Sequence, residues 1–235
     1  MLEIHSHYNI KNRIGEKMRL ERKNMCLYAV TDRSWIGEKS FLEQIEDSLK
    51  GGVTLLQLRE KNLSREEFLK EAQEVKKLTD KYGVPFIIND DVEIALQVDA
   101  AGVHVGQKDM EAGEARQKLG ADKILGVSCR TVEDAKKAEQ MGADYLGVGA
   151  MFATSTKTEA EVITTERLRS ICQAVAIPVV AIGGIKEENI TKLRDCGISG
   201  VAVISGIYAQ KDIESACQRF LKLSKEITQQ EVKEK

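Results

Sequence analysis

Eight short apolar runs, each followed by a segment of helical period, constrain this chain more than any other feature. The runs occupy residues 26–31, 53–58, 85–88, 102–105, 124–127, 145–148, 179–182 and 200–204, and they are rich in Val, Ile and Leu. Helical candidates follow at 40–50, 64–82, 91–98, 111–119, 131–141, 164–175, 186–196 and 206–223. Strands that alternate with helices pair in parallel and are covered on both faces, so they read as continuously apolar. Such alternation leads to an open doubly wound sheet or a closed barrel. The open sheet usually carries Gly-x-Gly-x-x-Gly after its first strand, and Thr31-Asp32-Arg33 stands there instead. The expected fold is α/β, a single (β/α)8 TIM barrel over residues 25–227. A short helical extension is expected over 1–24, where Ile10, Ile14 and Met18 are spaced four apart, and a charged tail over 228–235.

Local punctuation agrees with this division. Ser64 followed by Glu67 reads as a capping box, and Thr131 and Thr164 as similar helix starts. Gly51-Gly52, Gly83, Gly142 and Gly197 fall where helices should end, a place suited to left-handed backbone. Pro85 and Pro178 open strands, where a missing amide donor is tolerated.

Composition narrows the function classes. A net charge of −2 lacks the basic excess of a general nucleic-acid binder, so any anion site must be built by local placement. Five scattered cysteines without a Cys-x-x-Cys pair form neither a disulfide framework nor a zinc pattern, and they suit a reducing cytoplasm. No apolar stretch reaches the length of a membrane-spanning helix, and the N-terminus has no signal-type apolar region. Small-molecule substrates are expected, without nucleic acid or membrane, and a homo-oligomer is compatible with the sequence.

In a (β/α)8 barrel the C-terminal strand ends and the loops after them build the site, so these positions act as a physical filter. The second strand ends in Gln57, Arg59, Glu60 and Lys61. The third leads into Asn89-Asp90-Asp91 and the fourth into Gln107-Lys108-Asp109. Asp90 and Asp109 arrive from neighbouring strands and suit Mg²⁺ shared with a pyrophosphate, while Asp91 is the better helix cap. The fifth strand brings Ser128, a candidate phosphate donor, beside Cys129, which has no histidine nearby in sequence to activate it. The loop after the sixth carries Thr154, Ser155, Thr156 and Lys157, an anion-gripping set that a plain polar surface loop would also display. The seventh and eighth end in Gly183-Gly184 and Ser205-Gly206, where such barrels bind a phosphate through backbone N–H groups. His104, inside the fourth strand, reads as a packed, hydrogen-bonded side chain. Trp35 and Tyr28 lie near the end of the first strand, placed to close over a flat ring.

Taken in order, Gln57-x-Arg59-Glu60-Lys61, Asn89-Asp90-Asp91, His104-Val-Gly-Gln107-x-Asp109, Ser128-x-x-Thr131, Thr154-x-Thr156-Lys157, Ile182-Gly-Gly-Ile185 and Ile204-Ser205 resemble the thiamine-phosphate synthase (thiamine-phosphate pyrophosphorylase) family. The resemblance covers about residues 26–222. It implies condensation of 4-amino-2-methyl-5-hydroxymethylpyrimidine diphosphate with 4-methyl-5-(2-phosphoethyl)thiazole, or its carboxylated form. It implies that Gln57, Leu58, Arg59, Glu60, Lys61, Asn89, Ser128 and Lys157 contact the pyrimidine diphosphate. It implies that Thr154, Ser155, Thr156, Gly184, Ile204 and Ser205 hold the thiazole phosphate, and that Asp90 and Asp109 hold Mg²⁺. Arg59, Lys61, Lys157 and Ser128 would carry the catalysis by stabilising the departing pyrophosphate. Two departures stand out. Ala150 replaces the proline usual after the strand-6 glycine, so a more mobile loop is expected, and Cys129-Arg130 replaces a small residue followed by His. The rival readings are a thiazole tautomerase-like relative, whose catalytic His would fall near Arg130, and a non-catalytic sensor of thiamine intermediates.

Overall fold

The structure is a computed structural model that describes residues 21–106, 110–154 and 161–229. Each apolar run forms a strand, with β3 and β5 reaching past the ends of their runs: β1 (Leu27–Val30), β2 (Leu55–Leu58), β3 (Phe86–Asn89), β4 (Gly102–Val105), β5 (Ile124–Cys129), β6 (Tyr145–Val148), β7 (Val179–Ile182) and β8 (Gly200–Val203). All neighbours pair in parallel, and β8 returns to β1 with Leu27 opposite Val201, Tyr28 opposite Ala202 and Ala29 opposite Val203. The sheet is therefore closed, and the doubly wound alternative is excluded.

Successive side chains of a strand point to opposite faces, which splits the buried residues into two layers. Tyr28, Val30, Leu55, Ile87, Ile124, Tyr145, Val180 and Ala202 fill the barrel interior with Met25. Leu27, Leu56, Leu58, Ile88, Val103, Leu125, Leu146 and Val201 face outward into the layer under the helices. The interior holds two tyrosines because glycines make room for them. A Cβ at Gly126 would lie 2.3 Å from Tyr145 Oη and 2.5 Å from His104 Nδ1, and one at Gly147 would lie 3.1 Å from His104 Cε1.

Four helices begin at the expected caps, and Ser40 adds one that the sequence reading did not name. Ser40 and Ser64 form capping boxes with Glu43 and Glu67 at the starts of α1 (Phe41–Lys50) and α2 (Arg65–Tyr82). Asp91, Thr131 and Thr164 cap α3 (Val92–Gln97), α5 (Val132–Gln140) and α6 (Thr165–Ala174), with α4 (Ala112–Leu119) between. Gly52, Gly83, Gly142 and Gly197 have positive φ, whereas Gly51 stays right-handed at φ −70.

Two helical expectations need correction. After β7, in place of a helix over 186–196, a 3₁₀ turn spans Ile190–Leu193. Asn189 competes with helix formation there: its Oδ1 accepts from Lys186 N (2.8 Å) and its Nδ2 donates to Gly184 O (2.9 Å). After β8 the helix expected over 206–223 is two, α7 (Ser205–Tyr208) and α8 (Ile213–Thr228), the second capped by Asp212. A 3₁₀ turn at Arg22–Met25 leads into β1. Residues 1–20 and 230–235 lie outside the described residues, and most of the expected extension and tail with them; Arg22, Lys23 and Asn24 of the extension belong to the 3₁₀ turn, and Thr228 of the tail ends α8. Among the described residues no helix is long and apolar enough to cross a membrane.

Candidate active site

A cavity of about 440 Å³ opens at the C-terminal ends of the strands, within the size range of small-molecule sites. The end of β2 shows how it is built. Alternation of side chains continues past the strand, so Gln57, Arg59 and Lys61 reach the cavity while Leu58 and Glu60 turn away. Leu58 is fully buried in the outer layer, and its side chain cannot meet a substrate in the cavity. The Glu60 side chain is only 4% exposed and is bound by Arg33 Nε at 2.9 Å. Both residues were expected as substrate contacts through the motif; the pleat of the strand places their side chains elsewhere. Backbone bonds hold this segment in place: Thr31 Oγ1 accepts from Arg59 N, and Thr31 N donates to Gln57 O, both at 3.0 Å.

The two aspartates after β3 divide their roles. Asp91 Oδ1 accepts from Ile94 N at 2.8 Å and caps α3. Asp90 takes left-handed backbone, φ 64, a conformation that Asp tolerates better than most residues. Its N–H is fixed to His104 O of β4 at 2.8 Å, and its carboxylate receives Lys61 Nζ at 2.6 Å and Asn89 Nδ2. Lys61 and Asn89 line the cavity, so Asp90 stands at its rim. Among the described residues no group of three or more His, Cys, Asp or Glu could hold a metal. Magnesium, however, needs only one or two carboxylates where phosphate oxygens and water complete the shell, and the rim carboxylate of Asp90 is a donor of that type. Asp109, its expected partner, lies outside the described residues, as do Ser155, Thr156 and Lys157.

Across the cavity, β7 and β8 present Gly183, Gly184, Ile204 and Ser205, with Thr154 from the β6 loop. The β6 and β7 loops are bonded to each other, Met151 N to Ile182 O and Phe152 N to Gly183 O, both at 3.0 Å. Only glycine fits at 184: its φ is +65, and a Cβ would lie 2.5 Å from Ala153 O. Ser205 opens α7, and the first N–H groups of a helix have no partner within it.

The comparisons with known proteins follow this geometry. A family model described as thiamine monophosphate synthase matches residues 27–207. The thiamine-phosphate synthase of Clostridium tetani is 51% identical over 203 residues, covering 86% of this chain and 97% of that protein. That of Methanobrevibacter smithii is 51% identical over 199 residues, 85% of this chain and 95% of its own length. The solved thiamine phosphate pyrophosphorylase of Pyrococcus furiosus superposes with a TM-score of 0.81 at 38% identity, covering 88% of this chain and 98% of that one. The chain belongs to the thiamine monophosphate synthase family. It is an enzyme of the transferase class.

Against that family, the two departures can be located. Ala150 is buried; its carbonyl accepts from Ile163 N at 2.9 Å, which ties the start of the loop down. Arg130 and Cys129 line the cavity, and the Arg130 guanidinium donates to Glu161 O. Burial pushes the Cys129 thiol up to about 12, which leaves it a poor nucleophile, as its sequence context implied. Trp35 is 37% exposed and does not reach the cavity, which corrects its reading as a ring-closing residue. Tyr28 does line the cavity, but from its floor: it is 1% exposed. Tyr145, whose hydroxyl meets that of Tyr28 at 2.7 Å, was missed in sequence. The available signal was a tyrosine in an otherwise aliphatic strand, since a buried phenol needs a hydrogen-bond partner.

Proposed function

We propose that this enzyme joins 4-amino-2-methyl-5-hydroxymethylpyrimidine diphosphate to 4-methyl-5-(2-phosphoethyl)thiazole, or its carboxylated form, giving thiamine phosphate and pyrophosphate. The observation that carries the reading is the division of one cavity between two unlike walls. One wall, from β2, β3 and β5, gathers Gln57, Arg59, Lys61, Asn89 and Ser128. The other, from β7 and β8, offers a glycine turn and the start of α7. The first suits a polyanion carried on a polar ring, the second a single phosphate.

The hard step is cleavage of the C–O bond between the pyrimidine methylene and the diphosphate, whose electron pair leaves with pyrophosphate. Arg59 and Lys61 balance the charge that develops there, with Lys157 as the third expected cation. The electron-rich aminopyrimidine bears the resulting cation, and the thiazole nitrogen attacks the methylene carbon. No protein base is required. Bound magnesium, held by Asp90 and Asp109, would supply further neutralisation of the diphosphate. We place the enzyme in the cytoplasm, a reading supported by Cys26, Cys129, Cys172, Cys196 and Cys217 all being free thiols.

The test is pyrophosphate release from the pyrimidine diphosphate, with and without the thiazole phosphate, in Mg²⁺ and in EDTA. Release that requires both thiazole and Mg²⁺, and fades in Asp90→Ala and Asp109→Ala, is expected. Thiazole phosphate that binds without any release in Mg²⁺ would overturn the reading in favour of the tautomerase-like relative or the sensor.

A further inference from the structure

One unbroken chain of hydrogen bonds crosses the cavity floor. Gln57 Nε2 donates to Tyr28 Oη at 2.5 Å, and Tyr28 Oη lies 2.7 Å from Tyr145 Oη. Tyr145 Oη lies 2.9 Å from His104 Nδ1, and His104 Nε2 lies 2.9 Å from Ser128 Oγ. Five strands supply the five residues, so closure of the barrel alone brings them together. Burial raises both phenols above the usual tyrosine range, and each keeps its single proton to donate.

The direction of the chain follows from one end. The Gln57 amide nitrogen can only donate, so Tyr28 accepts there and sends its proton to Tyr145. Tyr145 in turn donates to His104 Nδ1, which must be bare. The imidazole then carries its proton on Nε2 and gives it to Ser128 Oγ. The Gln57 end is fixed in consequence: its amide oxygen, an acceptor, is left to offer a ligand, while Ser128 Oγ accepts from His104. Reversing the direction would put a donor in place of that acceptor.

We propose that Tyr28, Tyr145 and His104 are positioning residues that set this polarity, and that they thereby select a ring bearing an amino group over one bearing an oxo group at the same position. The choice of ring rests on the pyrimidine reading above; the polarity does not. An amino group donates to the Gln57 oxygen, whereas an oxo group would set two acceptors against each other at a cavity floor where Gln57 is only 4% exposed. Sites of this kind discriminate strongly because the mismatched partner is left unpaired.

The experiment compares the 4-amino pyrimidine diphosphate with its 4-oxo analogue by calorimetric binding to the wild type, Tyr28→Phe and Tyr145→Phe. The wild type is expected to prefer the amino compound by at least ~10²-fold. Either variant frees the Gln57 amide to turn, and the preference is expected to fall by about tenfold or more. Thiazole phosphate affinity should stay within about twofold, a split that general loosening of the barrel would not give. An unchanged preference in both variants overturns the proposal, as does a wild type that binds the two compounds equally. A second measurement needs no variant: with ¹⁵N-labelled histidine, His104 should show the neutral tautomer protonated at Nε2. A proton on Nδ1 overturns the proposal whether or not the variants fold. Selective binding without pyrophosphate release would remove the synthase reading and leave the polarity standing.

Discussion

Arg33 holds two carboxylates with one charge. It donates through Nε to Glu60 Oε2 at 2.9 Å and through Nη2 to Glu71 Oε1, while its guanidinium lies 4.6 Å from the centre of the Phe41 ring. The second oxygens, Glu60 Oε1 and Glu71 Oε2, are buried without a hydrogen bond among the described residues. Burial is the main force on Glu60; Arg33 opposes it and the Glu71 charge adds to it, so its pKa is pushed up to about 7. A carboxyl whose folded pKa is raised favours folding when protonated. Its contribution is fully present below the ordinary value of 4.5 and is lost as pH rises through about 7. The melting temperature of the wild type should therefore fall between about pH 5 and 8, and Glu60→Gln should flatten that fall, measured by thermal denaturation in matched buffers. The neighbouring Lys61 calls for a kinetic test. Lys61→Ala should lower pyrophosphate release by ~10²–10³ at saturating substrates, with the fold intact by circular dichroism.

At the scale of elements, the loops after β6 and β7 act as one unit. Their mutual backbone bonds and the left-handed turn at Gly183-Gly184 bring two strand ends together over the second wall. Asn189 closes the unit from behind by donating to Gly184 O. Gly184→Ala would put a side chain against two backbone carbonyls in a conformation that disfavours it by about 1–2 kcal/mol. The expected outcome is a rise of about tenfold or more in KM for the thiazole phosphate, with KM for the pyrimidine diphosphate little changed, measured by steady-state pyrophosphate release. This unit was half legible in the sequence. Paired glycines at a barrel strand end indicate a phosphate turn by composition alone. That Asn189 would break the following helix was not legible, because its bonds depend on where the turn has already placed Gly184 O.

For the whole molecule, closure of β8 onto β1 turns eight separate strand ends into one rim. A chain with a net charge of −2 can then present Arg59 and Lys61 to a polyanion without any general positive field. The family match begins at residue 27, and among the described residues the barrel interior is filled from Met25 onward. Removal of residues 1–20 should accordingly leave turnover and melting temperature within error of the full chain, read by the same assays; a loss of either would assign the extension a part in the barrel.

The order of strands, the caps at Ser64, Thr131 and Thr164, and the polar strand ends were all determined by the sequence, because period, capping and turn chemistry act over a few residues. The alternation that sends Glu60 to Arg33 instead of to the cavity was decided by the pleat once the register of β2 was set. The chain from Gln57 to Ser128 was decided later still. Its members are separated by up to 117 residues, between Tyr28 and Tyr145, and no local rule relates them. They meet because a closed barrel points alternate residues of every strand at one axis, where a buried phenol must find a partner and the partners at hand are the polar residues of other strands.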